Sequence, residues 1–225
     1  MKQLALDIFQ PPAPTLENFV VGRNAEALAH LRAALTGAGA GERFIYLWGE
    51  AGSGRTHLLR AGAAQGKYVA CTPDSTNSAF NDDAPVLAAD NVEQLNATAQ
   101  EALFHRYNRL RESGGVLLAS GPLPPRRLAL RADLLTRLAW GLVIELHALA
   151  DNEKAQALQH HAHARGLKLT DDVTQYLLAH APRGMGELYA VFDELDQRSL
   201  QTHRAITVPL VREVLSASVN QQKII

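Results

Sequence analysis

The chain has 225 residues, 47% of them hydrophobic and 20% charged, with a formal net charge of −1. This is ordinary globular composition; it excludes a disordered, collagen-like or membrane-embedded chain, and the charge gives no global pull toward nucleic acid. Cys71 is the only cysteine, so an intramolecular disulfide and a cysteine-built zinc site are excluded as well.

Residues 1–17 read as an extended arm, because Pro11, Pro12 and Pro14 follow a short apolar stretch and forbid helix. Met1 to Leu4 lead into no signal-peptide core, and no apolar run approaches the roughly 20 residues that span a bilayer, so a cytoplasmic chain with no membrane partner is expected. Residues 24–35 have amphipathic helical spacing and stop at Gly37-Ala38-Gly39. Residues 44–48 form a short apolar strand ending at Gly49, and helical spacing returns over 56–64. Further apolar strands at 68–71, 86–89, 116–119 and 143–146 enclose helical stretches at 96–112 and about 128–138. Continuous apolar strands alternating with helices predict a parallel sheet covered on both faces, an α/β fold. After Leu149 the strands cease. Four helical stretches, 151–165, 171–180 (with Thr170 as a capping residue), 186–200 and 209–218, predict a small all-helical unit. The expected organisation is an arm (1–17), an α/β domain (18–149) and a helical domain (150–225).

Gly49-Glu50-Ala51-Gly52-Ser53-Gly54-Arg55-Thr56 fits the P-loop pattern at every fixed position except one, where Arg55 replaces lysine. Glycines let the backbone curl so that successive N–H groups and a helix N-terminus face phosphate, and Thr56 offers a hydroxyl to Mg²⁺. The bland alternative is a Gly-rich turn that merely connects strand to helix. Arg55 is forked and bulkier than lysine, which leaves binding possible and sets efficient hydrolysis in doubt. About 35 residues later an apolar strand ends in Asp90, as in a Walker B strand whose carboxylate holds Mg²⁺. Beside it, where an ATPase needs a proton acceptor, stands Asn91. Between Arg106 and Arg137 seven arginines face two acidic residues, a segment that reads either as a phosphate- or acid-binding patch or as a solvated face.

In this order, Asn18-Phe19-Val20-Val21-Gly22-Arg23-Asn24, the P-loop, Asp90-Asn91, the segment 120–125, and Leu135-Thr136-Arg137-Leu138-Ala139-Trp140-Gly141-Leu142 resemble the AAA+ module of the DnaA-related family. The likeness is greater to the family's regulatory inactivators than to the initiator. It covers nearly the whole chain and implies an AAA+ core with a helical lid, without the DNA-binding domain that follows this module in the initiator. It further implies that Phe19, Val20 and Val21 line an adenine site, that ADP or ATP with Mg²⁺ is the cofactor, and that Arg137 is an arginine finger for a neighbouring subunit's nucleotide. Pro122 stands where the family carries a sensor 1 aspartate, and Gly186 where it carries a sensor 2 arginine; Arg183, three residues earlier, either reaches the phosphates or begins a solvated helix.

In the arm, Gln3-Leu4-Ala5-Leu6-Asp7-Ile8-Phe9 is similar to the sliding-clamp-binding motif: Gln3 anchors by hydrogen bonds, while Leu4, Leu6, Ile8 and Phe9 supply apolar anchors. The alternative is an N-terminal strand tucked onto the body. His160, His161 and His163 splay around a helix and are not read as a metal site, and Trp48 and Trp140 are read as packing residues. The resemblance thus implies a regulator of replication initiation that binds the sliding clamp, reaches DNA only through the loaded clamp, and stimulates ATP hydrolysis by DnaA, inactivating it. Nucleoid association through the clamp and a homo-oligomer are compatible with it. The rivals are an autonomous AAA+ ATPase, such as a helicase-loader-like motor, and a nucleotide-free bridging module.

Overall fold

A computed structural model of the chain describes residues 13–37, 42–182, 184–202 and 204–222. They fall into two compact units, Ala13–Ala148 and the chain from Leu149 onward.

In the first unit five strands, β1 (Phe44–Gly49), β2 (Lys67–Ala70), β3 (Val86–Asp90), β4 (Val116–Gly121) and β5 (Leu142–Leu146), form a parallel sheet in the order β2-β3-β4-β1-β5. Every pairing is parallel, which requires crossover connections, and the helices provide them. The helices are α1 (Ala25–Thr36), α2 (Arg55–Gly62), α3 (Ala97–Ser113) and α4 (Ala132–Trp140). Successive side chains of a strand point to opposite faces, so each strand feeds two cores. Ile45, Leu47, Ala88 and Leu118 pack with Leu28, Leu31, Leu58 and Leu59 on the side of α1 and α2. Tyr46, Leu87, Ala89, Leu117 and Ala119 pack with Leu103, Leu110, Leu134 and Leu138 on the side of α3 and α4. With both faces covered, the central strands are apolar throughout, which is why they read as unbroken runs.

Three short 3₁₀ segments, Asn77–Phe80, Val92–Gln94 and Pro125–Arg127, were not legible as helices in the sequence. The last corrects the expected helix at 128–138. Leu128 is extended (φ −84°, ψ 148°), and α4 begins only at Ala132.

The second unit packs α5 (Asp151–Ala164), α6 (Asp171–His180), α7 (Met185–Thr202) and α8 (Val208–Gln222) around Leu158, Leu177, Phe192, Leu195, Val211 and Val214, all fully buried. Thr170 stands at the start of α6 but makes no side-chain cap; instead its carbonyl accepts the Thr174 hydroxyl at 3.0 Å. The histidines on α5 have separate surroundings: His161 stacks on Tyr189 and meets the buried Asp193, which also accepts from Arg165. Among the described residues no helix is long and apolar enough to cross a membrane.

Candidate nucleotide-binding site

The P-loop joins β1 to α2 at the carboxyl edge of the sheet, with β1 between β4 and β5 and the end of β3 beyond β4, where open parallel sheets hold their ligands. Two glycines make its curve possible. A Cβ on Gly49 would sit 2.3 Å from the Leu146 carbonyl oxygen, and Gly54, at φ 94°, caps α2 in a left-handed conformation. A Cβ on Gly54 would also meet the Phe19 ring at 2.6 Å. Phe19 is therefore buried against the P-loop, and Val20 and Val21, half-buried, follow it. This segment is fastened from both sides. Asn24 exchanges two hydrogen bonds with the backbone of His147, at 2.9 and 2.8 Å, and His57 on α2 lies 2.9 Å from the Thr15 carbonyl.

Asp90 is the centre of the polar part. It is 1% exposed, and its carboxylate accepts from three hydroxyls: Thr56 at 2.7 Å, Tyr68 at 2.9 Å, and Ser120 by a short hydrogen bond. Ser120 Oγ in turn accepts the Asn91 N–H at 3.1 Å, so β3 and β4 are tied together at the site. Asn91 is the one non-glycine residue with positive φ (59°) among the described residues, a conformation that asparagine tolerates better than most. Sequence reasoning identified Thr56, Asp90 and Asn91 but missed Ser120, Tyr68 and Glu93. Tyr68 reads only as a strand residue, Ser120 was marked only as the start of the segment 120–125 and given no role, and nothing local distinguishes Glu93.

Several polar atoms here have no partner among the described residues: Ser53 Oγ, Arg55 Nη1 and Glu93 Oε2 are buried and without a hydrogen bond. Unpaired buried polar groups are costly, so a cluster of them beside a helix N-terminus indicates a place for a ligand. A nucleotide phosphate chain fits these residues: Gly49, Gly52 and Gly54 form the cradle, while Ser53 and Arg55 are available donors. The Thr56 hydroxyl and Asp90 carboxylate are hard oxygen donors side by side, suited to the Mg²⁺ that accompanies such a ligand. Pro122 is exposed beyond β4, and Gly186, on the second turn-forming position of α7, has open space where a side chain would start. Arg183 and the arm residues Gln3, Leu4, Leu6, Ile8 and Phe9 lie outside the described residues.

Arg137, in the last turn of α4, is half-buried and makes no ion pair with a described carboxylate. Its guanidinium lies 4.1 Å from the Trp140 ring centroid, 5.5 Å from Phe104 and 5.8 Å from Tyr107, and its Nε is buried without a partner. Trp140 is not the packing residue read from the sequence. It is 54% exposed and carries Arg111 at 5.3 Å as well as Arg137. Nor is the arginine-rich segment one free patch. Arg106 is buried against Asp82 and the Ala84 carbonyl, Arg109 donates to the Phe80 carbonyl at 2.9 Å, and Arg131 pairs with Glu101 and Asp133. Arg126 and Arg127 remain exposed.

The fold recurs in solved structures. Domain III of the Thermotoga maritima replication initiation protein DnaA matches with TM-score 0.70 at 20% identity, over 92% of this chain and 97% of that one. AMPPCP-bound DnaA from Aquifex aeolicus matches with TM-score 0.68 at 22% identity, over 87% and 68%. The Thermotoga maritima RuvB Holliday junction branch migration motor matches with TM-score 0.65 at 16% identity, over 93% and 73%. The chain shares its fold with these structures, and its five-stranded parallel sheet carries the P-loop motif between β1 and α2. Residues 151–215 match the family model described as "Hda, lid domain". The helical unit thus matches the Hda lid family, and the chain shares its fold with the DnaA structures.

Proposed function

We propose that this protein regulates replication initiation: held at the sliding clamp by Gln3, Leu4, Leu6, Ile8 and Phe9 of its arm, it presents Arg137 to ATP-bound DnaA and promotes hydrolysis of that partner's nucleotide, inactivating it. The reading is supported chiefly by Arg137 itself, a guanidinium with no ion pair among the described residues, shelved on aromatic rings beside an exposed tryptophan. An arginine so placed can answer an anion brought by another molecule, and charge developing on a transferring phosphoryl group is such an anion. The protein's own pocket differs in kind. It has Arg55 for lysine and an amide at position 91, so it holds a nucleotide with Mg²⁺ at Thr56 and Asp90 more readily than it cleaves one.

The test is ATP turnover by DnaA with and without this protein and DNA-loaded clamp. Arg137→Ala should reduce the stimulation at least about a hundredfold, since fingers supplied in trans are worth about 10³ to 10⁵ in GTPases. Arg137→Lys should restore it only partly, because a point charge lacks the fork. Stimulation by Arg137→Ala at the wild-type rate would overturn the role given to this residue.

A further inference from the structure

Tyr68 is half-buried on β2 and stands opposite Ala88 of β3 in the sheet register. Side chains two residues apart on a strand share a face, so Asp90 lies with Ala88 and Tyr68 on the side covered by α2. The Tyr68 ring is held from that helix: the Arg60 guanidinium, one turn beyond Thr56, lies 5.1 Å from the ring centroid. So placed, the Tyr68 hydroxyl donates to Asp90 Oδ2 at 2.9 Å, the oxygen that also accepts the Thr56 hydroxyl at 2.7 Å. Ser120 donates to the other oxygen, Oδ1.

A carboxylate accepts at about four lone-pair positions, two on each oxygen. Among the described residues Thr56 and Tyr68 fill both on Oδ2, while Ser120 fills one on Oδ1, the oxygen tied to β4. The two hydroxyls on Oδ2 differ in what they can do beside a cation. Thr56 can keep its proton on Asp90 and turn its oxygen toward Mg²⁺, since a hydroxyl donates and accepts at once. Tyr68 comes from outside the P-loop and only takes up a position on Asp90. Mg²⁺ dehydrates reluctantly and keeps several waters, so a carboxylate beside it needs a lone pair free, for the ion or for a water on it. We propose that Tyr68 is a positioning residue for Asp90: its hydroxyl occupies the place on Oδ2 that the ion or its water needs, and so sets how strongly nucleotide binding depends on Mg²⁺. This inference rests on the P-loop binding a nucleotide at all.

The experiment measures the dissociation constant of fluorescent ADP in Mg²⁺ and in EDTA for the full chain and for Tyr68→Phe and Tyr68→Leu. Removing the hydroxyl should tighten binding in Mg²⁺ and leave binding in EDTA unchanged. The EDTA-to-Mg²⁺ ratio should thus rise about tenfold, the order that one hydrogen bond to an ionised group is worth. Tyr68→Leu repeats the measurement should the phenylalanine variant not fold. An unchanged ratio overturns the proposal, and so does a lowered one, which would make Tyr68 a support that holds Asp90 toward the ion. An equal change of affinity in both conditions, the mark of a purely structural role, overturns it too. A wild-type chain that binds ADP in neither condition fails the underlying reading, a result distinct from all of these.

Discussion

Both oxygens of Asp90 are engaged within the protein, yet the residues that engage them come from β2, β4 and the start of α2. A carboxylate 1% exposed must find its hydrogen bonds within the protein, and three hydroxyls supply them. Cys71, one residue past β2, lies in the shadow of the same charges. Burial, with Asp90 and then Glu93 adding to it, pushes its thiol from 9.0 up to about 12. A thiol whose folded value is raised favours the folded state while both states are protonated. Its contribution is full below about pH 9 and is lost as pH climbs toward 12. Iodoacetamide at pH 8 should accordingly label the native protein at least about tenfold more slowly than the denatured chain, because the thiolate is the nucleophile. Equal labelling rates, followed by mass spectrometry, would contradict this account of the pocket.

Among the elements, the P-loop and the first turn of α2 gain their rigidity from neighbours as much as from glycine. Phe19 closes against Gly54, and the Asn24–His147 bridge holds the segment before α1 at the end of β5. Under the proposed function the arm is a ligand for another protein. Large apolar side chains on a stiffened extended peptide lose little entropy on docking. Replacing Gln3, Leu6 and Phe9 together with alanine should abolish clamp binding in a surface-capture assay and shift the thermal midpoint by less than about 2 °C. A much larger shift would mean that these side chains belong to the core of the body.

For the whole molecule, the proposed function separates two arginine sites by charge and reach. Arg55 and Asn91 stand in the pocket of its own P-loop, whereas Arg137 lies in the last turn of α4 on an exposed aromatic shelf. The isolated protein should turn over ATP slowly in steady state, well below the ordinary enzyme median of about 10 s⁻¹. Robust turnover by the isolated chain would favour an autonomous ATPase, the rival reading.

The α/β order of elements, the parallel sheet and the P-loop between β1 and α2 were determined by the sequence alone. Apolar period, glycine placement and strand length are local properties, written wherever both faces of a strand must be covered. Thr56 and Asp90 could be named for the same reason, each standing at a fixed offset in its motif. Tyr68 and Glu93 had no such mark, and Ser120 only that of opening the segment 120–125. Only the parallel crossovers bring β2, β3 and β4 side by side, so that a hydroxyl 30 residues from Asp90 in the chain becomes its hydrogen-bond partner. The setting of Arg137 was likewise a tertiary decision. Its motif was visible in α4, but the Phe104 and Tyr107 rings beneath it come from α3, and which side chains share a helix–helix contact depends on packing that no single stretch of sequence contains.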